Sequence, residues 1–276
     1  MYLIVKIQLF MLFDTHAHFY DAETAVSQLT RARDAGFAGV LACGCSPELD
    51  SGAIAAARAF PGFAHLALGY GRDTAPNVAP SPAALADSMR VLKNRIDTLA
   101  SEGVRIAAIG EIGLDFSRGE SVAECNAQIS LFRAQLALAV KLSLPCSIHS
   151  RDATSETLDA LRTLPPEQNR RNILHCFVGP EDFAAEALAL GCSFGISGII
   201  TFNSADMLRG IVRTLPRERV LLETDCPWLA PVPFRGKPNE PILLKHTCAA
   251  VAALWGVTPD ECARITTENA RKIFNV

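Results

Sequence analysis

Short runs of apolar and β-branched residues alternate along this chain with longer stretches whose apolar positions recur every three or four residues. The first pattern reads as buried strands and the second as amphipathic helices. Eight strands are predicted, over 11–15, 39–43, 64–69, 106–110, 145–148, 172–174, 193–197 and 219–223. Between them lie helical segments such as AVSQLTRARDAG, AECNAQISLFRAQLALAVKLS and PEDFAAEALALG, with a glycine or proline near an end. Eight alternations of strand and helix over about 265 residues predict one α/β domain, a (β/α)8 barrel of the TIM type. An open doubly wound sheet is the alternative, but no Gly-x-Gly-x-x-Gly follows the first strand.

Two further amphipathic segments, PNEPILLKHTCAAVAALWGV and TPDECARITTENARKIF, would complete the outer ring, the second opening on a Thr-x-x-Glu capping pattern. Met11 begins a plausible strand by itself, so the barrel is expected over 11–276, with residues 1–10 a short N-terminal extension or an upstream start. The opening MYLIVKIQLFMLF is interrupted by Lys6 and Gln8, lacks a basic leader and is too short to span a bilayer. Neither secretion nor a membrane is expected, and no obligatory protein partner is inferred.

Hydrophobic residues make up 49% and charged residues 20% of the 276, without a biased tract, which excludes a disordered or fibrous chain. The formal charge of −3 argues against a broad basic surface for nucleic acid, while leaving room for an enzyme that grips one strand end with the help of metal ions. Nine cysteines are scattered through apolar segments and read as free thiols of a reducing cytoplasm. Cys43-x-Cys45 has no second pair at zinc-ribbon spacing and is read as core.

The candidate chemistry lies at the C-terminal ends of the predicted strands, which share one face of a barrel. In FDTHAH, His16 and His18 are two apart on a strand and so point to one face. Glu111 follows strand four, His149 strand five, His175 strand six and Asp225 strand eight, whereas His65 and His246 occupy no such end. Singly, each has an ordinary structural reading; together, unpaired, they would be costly to bury. Six candidate ligands exceed one tetrahedral zinc but suit two divalent ions, Zn, Mn or Mg, sharing a carboxylate. Glu111, from the middle of the strand order, is the candidate bridge, and no lysine ends any strand. Hydrolysis by activated water is the implied reaction, with Asp225 able to take the water's proton and Glu223 able to orient a ligand from behind.

The motifs FDTHAHFYD, GEIGLDF, LPCSIHSRDA, LHCFVG, GCSFGISGIITF, ETDCPWLAPVPFRGKPNEP and TTENARKIF, in this order and spacing from Met11 to Phe274, resemble the TatD family of metal-dependent deoxyribonucleases in the amidohydrolase superfamily. The resemblance implies a barrel with a binuclear centre that hydrolyses DNA, as single strands or from 3′ ends. It further implies one ion on His16, His18 and Asp225, another on His149 and His175, and Glu111 between them. Many members carry Gly-x-His-Pro after strand three, where this chain reads LGYGRDT, so Tyr70 or Arg72 is the expected phosphate contact. Arg235 and Lys237 in FRGKPNEP, and Arg151 after His149, are further candidate clamps, with surface charge or a pair with Asp152 as their plainer readings. The same centre would also serve an ester or amide hydrolase, such as a D-aminoacyl-tRNA deacylase, and loss of ligands would leave only a scaffold; all six ligands are present.

Overall fold

Strand gives way to helix throughout residues 11–276, the part of the chain that the computed structural model describes; the expected extension over residues 1–10 lies outside the described residues. The first half runs β1 (Phe13–Ala17), α1 (Ala22–Asp34), β2 (Gly39–Gly44), α2 (Pro47–Ala59), β3 (Ala64–Leu68), α3 (Ala75–Val78), α4 (Pro82–Ser101), β4 (Ile106–Asp115) and α5 (Val122–Leu142). The second runs β5 (Cys146–Arg151), α6 (Thr154–Arg162), α7 (Pro166–Asn169), β6 (Ile173–Leu174), α8 (Glu181–Leu190), β7 (Ser193–Ile196), α9 (Asp206–Thr214), β8 (Val220–Leu222), α10 (Leu244–Trp255) and α11 (Pro259–Phe274). All eight strands are parallel, in the order β1 to β8.

The segment after β8 closes the sheet onto β1. The Asp225 N–H donates to His16 O at 2.9 Å and the His18 N–H to Cys226 O at 2.8 Å. Beneath them the Thr15 hydroxyl donates to Leu222 O at 3.0 Å. The result is the (β/α)8 barrel expected from the alternation, not an open sheet.

Alternate strand residues divide between two cores, as the period of two requires. Leu12, Val40, Leu66, Ile148, Leu174, Phe194 and Leu222 belong to the larger cluster beneath the helices. Phe13, Leu41, Ala67, Ala107, Ile173 and Leu221 form a second cluster inside the barrel, which Ile273 and Phe274 of α11 cover at the N-terminal ends of the strands. The opposite, C-terminal mouth carries the polar residues.

Four strands run further than their apolar pattern predicts, β1 to Ala17 and β2 to Gly44 by a residue or two, β4 and β5 by more. β4 continues to Asp115 and β5 to Arg151, with Gly113 opposite His149 and Asp115 opposite Arg151. Their polar residues read as loops in sequence because they face the polar mouth. β1 begins later than predicted, at Phe13. At α11 the Thr258 side chain accepts from the Glu261 N–H at 3.2 Å, as its capping pattern predicts. No single helix among the described residues is long and apolar enough to cross a membrane; α10 and α11 with their lead-in meet that composition only jointly, bent by 104°.

Candidate metal centre

A break in the alternation of β1 builds the first part of the site. Phe13 points into the barrel, so period two alone would send His16 and His18 outward. The register with β2 slips between Asp14 and Ala17, and both histidines turn inward. Their Nε2 atoms lie 2.9 Å apart. His18 Nδ1 is 2.8 Å from Cys43 O, and because a carbonyl only accepts, Nδ1 carries the proton. His16 Nδ1 is 2.8 Å from Ser147 Oγ on β5.

A second slip, in the register of β4 with β5 between Ile109 and Ile112, turns Glu111 and Asp115 inward while Ile109, Ile112 and Leu114 stay beneath the helices. Glu111 is buried at the centre of the cluster. Its Oε2 lies 3.7 Å from His16 Nε2 and 3.4 Å from His18 Nε2. Its Oε1 lies 3.4 Å from both His149 Nδ1 and His175 Nε2. Asp225 Oδ1 is 3.6 Å from His18 Nε2 and 3.9 Å from His16 Nε2. All six sequence-predicted ligands are thus brought together.

Glu223, fully buried, backs the site: Oε1 is 3.5 Å from His175 Nδ1 and accepts from the Cys176 N–H. Gly195 of β7 makes room for it, since a Cβ there would overlap the Glu223 carboxylate.

Burial opposes charge throughout the cluster, and the outcome differs from group to group. Against burial, His175, His16 and His18 hold Glu111 well below the usual carboxylate range. Against burial, Glu111 and Glu223 lift His175 to about 10, and Glu111 with Asp225 raises His18. Burial and the neighbouring His175 push His16 well down, and burial lowers His149. Asp225 is pushed up to about 7 by burial, offset in part by His175 and His18.

These residues suit divalent ions by their own chemistry. Imidazole nitrogens and carboxylate oxygens, both ligand atoms for divalent ions, meet around Glu111. Ligand atoms of His16, His18 and Asp225 lie within 4.8 Å of one another, as do those of His16, Glu111 and His175, and those of His18, Cys45 and Glu111. His175 Nδ1 and Glu223 Oε2 are buried without a hydrogen-bond partner.

The other predicted contacts fare differently. Arg72 reaches the cluster, donating from Nη1 to Glu111 Oε1 at 2.7 Å. Tyr70 does not: it packs against the cluster of Ala75, Ala79 and Leu131, while its backbone exchanges hydrogen bonds with the Gln135 side chain at 2.7 and 2.9 Å. Its ring, half-buried, joins the apolar layer over α5. Arg151 is exposed at the end of β5 and pairs with no acid among the described residues, Asp152 included. The exposed Arg235 lies 4.4 Å from the centroid of Phe202, and Lys237 lies 6.0 Å from that of Phe234; neither touches the cluster. Cys43 is core, whereas Cys45, two residues on and on the same face, sits half-buried at the mouth.

Sequence reading missed four participants. Asp115 lies 3.2 Å from His149 Nε2, and four residues after Glu111 it shares that residue's strand face. Ser147 holds His16. Asp14 is buried, accepts from the Thr224 N–H at 2.9 Å and hydroxyl at 2.6 Å, and is pushed up to about 7 by burial. Trp228, 5.3 Å from His18 between ring centroids, forms the rim with Tyr20.

Comparison with known proteins bears on the same residues. The sequence profile of the family described as TatD related DNase matches residues 13–275. The chain belongs to the TatD family. Across 251 residues, 89% of this chain and 92% of the relative, it is 37% identical to a protein of Erwinia amylovora named 3′-5′ ssDNA/RNA exonuclease TatD. Over 172 residues, 62% of this chain and 66% of the relative, it is 39% identical to YabD of Bacillus subtilis, named a metal-dependent hydrolase. Among solved structures, the TatD homologue YjjV of Escherichia coli superposes with a TM-score of 0.81 at 27% identity, covering 97% of this chain and 99% of that one. This chain is therefore a metal-dependent hydrolase of the TatD type. In the LGYGRDT stretch after β3, Arg72 is the side chain that faces Glu111.

Proposed function

We propose that the protein is a two-metal phosphodiesterase that shortens single-stranded DNA or RNA from the 3′ end. The convergence of four histidines on the two oxygens of Glu111, with Asp225 beside two of them, carries this reading. One ion would be held by His16, His18 and Asp225, another by His149 and His175, with Glu111 between them. Bound there, divalent ions supply Lewis-acid stabilisation of a phosphoryl group and a water acidic enough to attack at neutral pH.

The chain's own residues supply the rest. Asp225, beside His16 and His18 at the mouth, is placed to take a proton from the attacking water. Glu223 sets a negative charge 3.5 Å behind the ring of His175, and Ser147 holds the ring of His16. Arg72 adds a fixed positive charge at the mouth, which a phosphate demands and a neutral carbonyl does not. This favours phosphodiesters over the acyl substrates that the sequence left open. All nine cysteines are free, which suits a reducing compartment, the cytoplasm in this reading.

The test is hydrolysis of a 3′-labelled single-stranded oligonucleotide by chelated protein, alone and with Mg2+, Mn2+ or Zn2+, beside Asp225→Ala. Stepwise shortening that needs both metal and Asp225 is the expected result. Intact oligonucleotide with every metal would overturn the proposal.

A further inference from the structure

Arg72 brings a permanent cation onto one side of the ligand cluster only. Its Nη1 donates to Glu111 Oε1 at 2.7 Å, and its Nε is 3.5 Å from Asp115 Oδ2 without a hydrogen-bond acceptor. The side chain is 18% exposed, so water screens it poorly. A guanidinium does not give up its proton in a protein.

The oxygen that Arg72 occupies is the one shared by His149 Nδ1 and His175 Nε2, each 3.4 Å away and 3.3 Å from each other. The opposite oxygen, Oε2, faces His16 and His18, and Asp225 lies beside them. Arg72 has no contact with that half among the described residues; its acidic neighbours are Asp73, Glu111 and Asp115. Each half offers two histidines and one oxygen of Glu111, the first half adds Asp225, and the guanidinium stands beside the second half only. A divalent ion entering between His149, His175 and Glu111 Oε1 meets a like charge, and a carboxylate oxygen already engaged as an acceptor. An ion entering between His16, His18 and Asp225 meets neither.

Resting on the two-metal reading above, we propose that Arg72 grades the two metal seats: the His16–His18–Asp225 seat fills first, and the guanidinium on Glu111 holds the His149–His175 seat weaker by roughly tenfold or more. The loop after β3 thereby sets the order in which the two seats fill. Gly71 contributes no side chain to this loop, and Arg72 is its only residue that reaches Glu111 among the described residues.

The test is titration of metal-free protein with Mn2+, with the free ion followed by electron paramagnetic resonance, on the wild type, Arg72→Gln, Arg72→Met and Arg72→Lys. Far-UV circular dichroism reports whether each variant folds. The wild type is expected to bind two ions with dissociation constants at least about tenfold apart. Arg72→Gln and Arg72→Met, which remove the charge, are expected to bring them within about threefold, and Arg72→Lys to keep the gap. Two equal wild-type affinities would overturn the proposal without any variant, as would a neutral variant that folds and keeps the wild-type gap. Either result leaves the metal centre standing. A wild type that binds no Mn2+ would instead overturn the metal-centre reading, and the proposal with it.

Discussion

Ser147 on β5 reaches inside the barrel to His16 on β1, Oγ to Nδ1 at 2.8 Å, and both side chains are fully buried. The bond holds the imidazole with Nε2 toward Glu111, so the hydroxyl acts on metal binding through the ring. Ser147→Ala is expected to weaken the tighter metal by about 10- to 100-fold, measured by competition with a chelator. The fold should lose only about 1 kcal/mol, read from urea unfolding.

Asp115 acts on His149 in the same way, from 3.2 Å at Nε2. Burial opposes its charge, yet bonds from His149 and Ser117 hold the carboxyl below the usual carboxylate range. Asp115→Asn keeps the shape and removes the charge. Oligonucleotide hydrolysis at saturating metal should fall by about 10- to 100-fold, and wild-type turnover would remove Asp115 from the site.

The loop after β8 depends on Asn239. Its buried amide donates to Thr224 O at 2.8 Å and Trp228 O at 2.7 Å, and so pins the turn that carries Asp225. Asn239→Ala leaves both carbonyls without this donor, at a cost of about 1–3 kcal/mol. A lowered urea midpoint with reduced turnover is expected; an unchanged midpoint would show that the turn holds without Asn239.

His65 provides a pH test remote from the metals. It lies inside the barrel against Phe13, ring centroids 5.6 Å apart, and burial, then Arg105, pushes its pKa down to about 4. Above the unfolded value of 6.5 the ring is neutral in both states and contributes nothing. Below it the unfolded chain takes up a proton that the folded one refuses, so stability falls as pH drops from 6.5 toward about 4. At pH 5 the loss is about 2 kcal/mol. His65→Phe should remove that part of the decline between pH 7 and pH 5 in urea unfolding; an unchanged decline would place it elsewhere.

The barrel was legible because eight apolar runs separated by amphipathic helices leave few other architectures. The ligands were legible because histidines and acids stood where those runs end. Strand lengths at the mouth were not: Glu111, Gly113 and Asp115 interrupt the apolar run of β4, and His149 to Arg151 are polar, where apolar runs are the signal for a strand. The slips in β1 and β4 were invisible for the same reason, and without them His16 and Glu111 would face the helices. Arg72 could be named from LGYGRDT but its partner could not, because a loop's course depends on packing that no local pattern encodes. The side chain of Tyr70, one of two neighbouring candidates, turned to the apolar layer instead.

The central claim is that Glu111 joins two halves of one metal centre. The most direct measurement compares wild type and Glu111→Ala for hydrolysis of a 3′-labelled single-stranded oligonucleotide, after chelation and after Mn2+ is restored, with circular dichroism on both. The account predicts that restored metal revives the wild type only, while Glu111→Ala stays folded and inactive. Equal turnover by a folded Glu111→Ala protein, or full activity of the chelated wild type, would contradict it.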